Sequence, residues 1–141
     1  PYIVHPLEVA KIVQTVVHSD AMVAAAILHD VIEDTEASYE DVAVNFGTLV
    51  ADLVDELTDV SKPEDGNRAV RKALDRAHLA KASADAQTIK LADVISNTKD
   101  IKENDPKFAK VYIPEMKALL EVLDKGDKTL MAEAEKQVFG K

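Results

Sequence analysis

Val23-Ala24-Ala25-Ala26-Ile27-Leu28-His29-Asp30-Val31-Ile32-Glu33-Asp34-Thr35 sets an ionisable pair into an apolar, Ala-rich run. With Ser19 able to cap its start, the pattern predicts a buried, central helix reaching Ile32. Burying His29 and Asp30 there is costly unless they are paired or hold a metal. Neighbouring helical residues point about 100° apart, so both side chains can reach one ion. Imidazole with carboxylate suits Mn²⁺, Fe²⁺, Zn²⁺ or Mg²⁺. A His-Asp dipeptide alone says little; its apolar setting singles it out.

Working outward, the spacing is helical throughout, with no period-2 segment and no repeat. Pro6 can open a helix carrying Leu7, Val9, Ala10, Ile12, Val13, Val16 and Val17 to about His18. Ser38 with Asp41 resembles a capping box for a short helix to Asn45. Gly47 punctuates, and Leu49 to Thr58 forms another helix. Residues 59–67, with Pro63 and Gly66, read as a loop. Helices follow over 68–81, 83–101, from Pro106 to Gly126, and 128–139. Pro114 predicts a kink or a restart within the stretch from Pro106 to Gly126. The expectation is an all-α bundle in a single domain spanning 1–141.

The chain has 141 residues, 47% hydrophobic and 30% charged, no Cys and no Trp. One core of Ala, Val, Leu and Ile is expected. Without Cys, disulfides and thiolate metal sites are excluded. A formal net charge of -9 argues against nucleic-acid binding. No apolar run approaches the ~20 residues of a membrane span, so no membrane partner and a cytoplasmic setting are expected. The sequence opens on Pro1, and a preceding N-terminal segment is expected.

Two further segments carry chemistry: Tyr2-Ile3-Val4-His5-Pro6 and Ile89-Lys90-Leu91-Ala92-Asp93-Val94-Ile95-Ser96-Asn97-Thr98. His5 and Asp93 would complete a two-His, two-Asp metal set with positions left for water and a phosphate oxygen. Each alone could be an ordinary helix residue. Glu33 and Asp34 stand four residues after His29 and Asp30, on the same faces. Such a pair can take a proton from attacking water or give one to a leaving oxygen. The bland alternative, solvated acids at a helix C-terminus, runs against the helix dipole. Asn97, four residues after Asp93, could bond a ribose or phosphate. His18 and His78 read as surface residues.

Together these segments resemble the hydrolase domain of the RelA/SpoT alarmone enzymes, and above all the stand-alone small alarmone hydrolases. The resemblance runs from Tyr2 to about Leu123. It includes Tyr-Ile-x-His-Pro, Ala-x-Leu-His-Asp-x-x-Glu-Asp-Thr, Phe-Gly-x-x-Val at 46–50, Val-x-x-x-Thr at 54–58 and Lys-Leu-Ala-Asp-x-x-x-Asn. It implies an HD-domain helical bundle with one Mn²⁺ held by His5, His29, Asp30 and Asp93, other divalent metals being compatible. It implies Glu33 and Asp34 as the catalytic acids, and Asn97 and Tyr112 as nucleotide contacts. The reaction implied is hydrolysis of the 3′-diphosphate of guanosine tetra- or pentaphosphate to GDP or GTP and pyrophosphate. Lys62, Arg68, Arg71, Lys107 and Lys110 are candidates for the outer phosphates.

The chain departs from the family in three places. A basic stretch upstream of the His-Pro segment, with an Arg that packs on guanine, would precede Pro1. Val94 stands where relatives usually carry a basic residue, and Ser96 where they often carry His or Tyr. These departures leave open another nucleotide: an adenosine alarmone, NADPH or a deoxynucleoside monophosphate. A regulatory HD domain that neutralises an alarmone synthetase is the non-enzymatic alternative. Oligomers are compatible with the sequence, and no synthetase domain fits this length.

Overall fold

The structure, a computed structural model, describes residues 4–33 and 35–140, without the side chains of residues 4, 31 and 33. These residues form eight α-helices and one 3-10 turn, with no strand among them. The helices are α1 (Val4–Val13), α2 (Asp20–Glu33), α3 (Tyr39–Phe46), α4 (Thr48–Leu57), α5 (Arg68–Ala80), α6 (Ala84–Asn104), α7 (Pro106–Leu120) and α8 (Lys128–Phe139). The 3-10 turn, Pro63–Asp65, lies inside the loop expected over 59–67.

The central helix is α6, which corrects the reading of the Ala-rich helix as the centre. α6 packs against α1, α2, α4, α7 and α8. Ile89, Leu91, Ala92 and Val94 along it are fully buried. Each of its large aliphatic side chains contributes about 1.5–3 kcal/mol on leaving water. On α2, by contrast, Met22, Ala25, Ala26 and His29 are buried while Val23, Ala24, Ile27 and Leu28 are only partly covered. Small Ala side chains let α2 sit close to its neighbours without needing cover on every face.

Polar side chains pin α6 at its N-terminal end. Buried Gln87 donates through Nε2 to the carbonyls of Leu79 and Val122 and accepts at Oε1 from the Lys125 amide. The Thr88 hydroxyl accepts from the Asp127 amide. Asp75 on α5 does similar work for the loop after α4, accepting from the Val60 and Ser61 amides and the Ser61 hydroxyl at 2.8–2.9 Å.

Several ends follow their local chemistry. The Ser19 hydroxyl accepts from the Met22 amide, and Ser38 with Asp41 forms the reciprocal capping box. α1 stops at Val13, short of the expected His18. There the Thr15 hydroxyl takes the Ile12 carbonyl, and the β-branched Val16-Val17 pair disfavours a further turn. Val17 is 95% exposed, so it leaves the expected apolar face. α6 runs three residues past Ile101, to Asn104. α7 passes through Pro114 as one element and ends at Leu120, before Gly126. Pro114 is exposed, and buried Tyr112, Met116 and Leu119 hold the helix across the lost hydrogen bond.

Candidate metal and nucleotide site

The first turn of α1, the last turns of α2 and the middle of α6 meet at one point. His5, Asp30 and Asp93 converge there, each offering a ligand atom within 4.8 Å of the others. His5 Nε2 lies 2.9 Å from Asp93 Oδ1 and 3.6 Å from Asp30 Oδ2. His29 Nε2 lies 3.2 Å from Asp30 Oδ1 and 3.8 Å from Asp93 Oδ1. The four residues that the sequence singled out therefore surround one small volume.

His29 tests whether a metal fits. Its Nδ1 donates to the Ala26 carbonyl at 2.9 Å, so a neutral ring turns its Nε2 lone pair toward the carboxylates. That Nε2 is buried and makes no hydrogen bond. A lone pair aimed at anionic oxygens is an unfavourable partner for them and a suitable one for a shared cation. Adjacent ligands on an octahedral ion with bonds of about 2.1 Å stand roughly 3 Å apart, close to these separations. The residues fit a divalent metal.

Electrostatics agree. Burial opposes charge on both imidazoles, but the nearby carboxylates of Asp93 and Asp30 raise both above the usual 6.5, Asp93 also through its hydrogen bond to His5. Burial alone would push the Asp93 carboxyl up; Lys90 and the two imidazoles instead hold it well below the carboxylate range. Without a metal, the site draws positive charge from its own side chains.

Around this centre, Asn97 Nδ2 donates to Asp93 Oδ1 at 3.3 Å. Tyr112 is buried on α7 with its ring centroid 6.0 Å from that of Phe108. Burial, then the charge of Asp93, pushes its phenol up to about 12. Arg68 forks onto Glu115 at 2.6 and 2.9 Å and lies over Phe108, so phosphate contact would require exchange of that partner. Lys107 and Lys110 are exposed on α7, Lys62 is exposed in the loop and Arg71 is half-buried on α5. Glu33 ends α2, but its side chain and all of Asp34 lie outside the described residues. His18 is exposed, and His78 reaches the Asp55 carbonyl away from the site.

Sequence reasoning missed Lys90, whose ammonium lies 2.8 Å from Asp93 Oδ2. Their i,i+3 spacing on a helix was the available signal. It also passed over the Ser96 hydroxyl, 3.0 Å from His5 Nδ1.

The sequence pattern of the HD domain matches residues 1–119. The chain belongs to the HD-domain family. Within that family this HD domain is 42% identical, over 108 residues, to the guanosine-3′,5′-bis(diphosphate) 3′-pyrophosphohydrolase MESH1 of Drosophila melanogaster. It is 34% identical over 108 residues to the protein of the same name in Homo sapiens. Each match covers 75% of this chain, and the chain spans 59% of the length of these curated relatives. A solved metazoan orthologue of SpoT, described as hydrolysing ppGpp, superposes with a TM-score of 0.85 at 33% identity, covering 99% of this chain and 81% of that one. The protein lmo0812 of Listeria monocytogenes shares the fold, with a TM-score of 0.78 at 24% identity over 100% of this chain and 97% of its own.

Proposed function

We propose that residues 1–141 act as one metal-dependent phosphohydrolase domain that removes the 3′-diphosphate of guanosine tetra- or pentaphosphate, releasing pyrophosphate with GDP or GTP. The observation that carries the reading is the convergence of His5, Asp30 and Asp93 beside an unbonded, buried His29 Nε2. The names of the similar enzymes supply the substrate.

His5, His29, Asp30 and Asp93 would hold one Mn²⁺. When bound, the ion offsets charge on the phosphoryl oxygens and promotes attack by water. Lys90 keeps one Asp93 oxygen engaged, so Asp93 meets the centre through the other. Glu33 and Asp34 would move protons to and from the attacking and leaving oxygens. Asn97 and Tyr112 would contact the nucleotide, and Tyr112 keeps its proton at neutral pH and can donate a hydrogen bond. Arg68, Lys107 and Lys110 would meet outer phosphates. No described helix is long and apolar enough to cross a membrane; a cytoplasmic nucleotide pool is the proposed setting.

The test is turnover of guanosine tetraphosphate with Mn²⁺, resolving nucleotide and phosphate products. GDP with pyrophosphate, lost on chelation and in Asp93→Ala, is expected. Orthophosphate without pyrophosphate, or a metal-loaded protein that leaves the substrate intact, overturns the reading.

A further inference from the structure

The two imidazoles are held by hydrogen bonds of different kinds. His29 Nδ1 meets the Ala26 carbonyl, which only accepts, so its neutral ring has one available tautomer. His5 Nδ1 meets the Ser96 hydroxyl at 3.0 Å, while its Nε2 meets Asp93 Oδ1 at 2.9 Å. Asp93 and Ser96 are three residues apart on α6, so one helical turn presents a partner to each ring nitrogen. Ser96 is only 3% exposed, which limits replacement of its hydroxyl by solvent.

A carboxylate accepts only, so without a metal His5 Nε2 carries a proton and donates to Asp93. The neutral ring then needs a donor at Nδ1. A metal ligand needs the reverse: an Nε2 lone pair, a proton on Nδ1 and an acceptor beside it. A carbonyl serves one of these states; a hydroxyl serves both by rotating its hydrogen. We infer that Ser96 is a positioning residue that keeps His5 bonded in both tautomers and so lets it pass from Asp93 to a metal. In that passage Nε2 releases a proton to solvent, Nδ1 takes one up from solvent, and the Ser96 hydroxyl changes from donor to acceptor. The ring stays neutral throughout.

This inference rests on the proposed metal site, so its test includes a variant of that site. Mn²⁺ binding by calorimetry is compared among wild type, Ser96→Ala, Ser96→Thr and His29→Ala. Ser96→Ala should weaken Mn²⁺ binding roughly 10–100-fold, the usual scale for losing such a partner, with a smaller fall in the unfolding midpoint of the metal-free protein, which loses the same hydroxyl. Ser96→Thr should recover most of the affinity. Nitrogen NMR of the wild-type His5 ring, at a pH where the ring is neutral, should show its proton moving from Nε2 to Nδ1 when Zn²⁺ is added. Unchanged Mn²⁺ affinity in Ser96→Ala, with binding lost in His29→Ala, overturns the role of Ser96 and leaves the metal site standing. A His5 proton already on Nδ1 before Zn²⁺ also overturns it. Unchanged affinity in His29→Ala overturns the metal site itself.

Discussion

Asp93 gathers His5 and Asn97 on one oxygen and Lys90 on the other. A buried carboxylate with these partners has little rotamer freedom left, which is what a ligand held ready for an ion requires. In the proposed reaction, proton transfer would belong to other residues. Glu33→Gln keeps the size and loses the titratable oxygen, so Mn²⁺ binding should persist while turnover falls roughly 10²–10⁴-fold, the scale of an acid/base group. Steady-state kinetics beside Mn²⁺ titration checks this, and an unchanged rate would remove Glu33 from the mechanism. The converging His and Asp side chains were readable because an ionisable pair in an apolar run demands an explanation. Lys90 and Ser96 were not, because Lys and Ser are ordinary on any helix, and only the approach of α1 to α6 gives them partners.

Among elements, helix starts were legible and helix ends less so. Starts carry side-chain caps: Ser38, Asn67 and Ser83 each accept from an amide three residues on. Ends depend on tertiary cover, so α1 falls short and α6 overruns. The join between α3 and α4 depends on Gly47 alone, which closes one helix and opens the next at φ 93°, ψ 161°. Other residues rarely adopt that region, and no neighbouring atom crowds the position, so only the backbone resists substitution. Gly47→Ala should therefore cost about 1–3 kcal/mol of stability with Mn²⁺ affinity unchanged. Denaturant unfolding beside a metal titration tests this, and an unchanged midpoint would remove the strain argument.

For the whole molecule, a net charge of -9 disfavours an anionic substrate unless one region reverses the field. Lys90 and, as the pH falls, His5 and His29 bring positive charge to the site in the metal-free protein, which makes its stability respond to pH. His5 and His29 hold protons more tightly folded than free imidazole does at 6.5. Their contribution is fully present below 6.5 and is lost as the pH rises through the raised folded values. The melting temperature of chelator-treated protein should fall over that rise. Metal binding needs those nitrogens deprotonated, so the stabilisation given by Mn²⁺ should grow over the same range. Thermal melts across pH with and without Mn²⁺ decide it; parallel curves would contradict the shared site.

His5 and Asp93 stand 88 residues apart in sequence yet within 2.9 Å in space. An ion gripping both would act as a removable clasp on α1, which could then swing away from the bundle only by letting the ion go. Opening of α1 becomes tied to ion dissociation, while the α3–α4 corner keeps its own rhythm. Backbone amides of α1 should then exchange with deuterium more slowly once Mn²⁺ is present, and those of α3 at nearly the same rate as before. The amino-terminal helix would report, amide by amide, how long the ion stays.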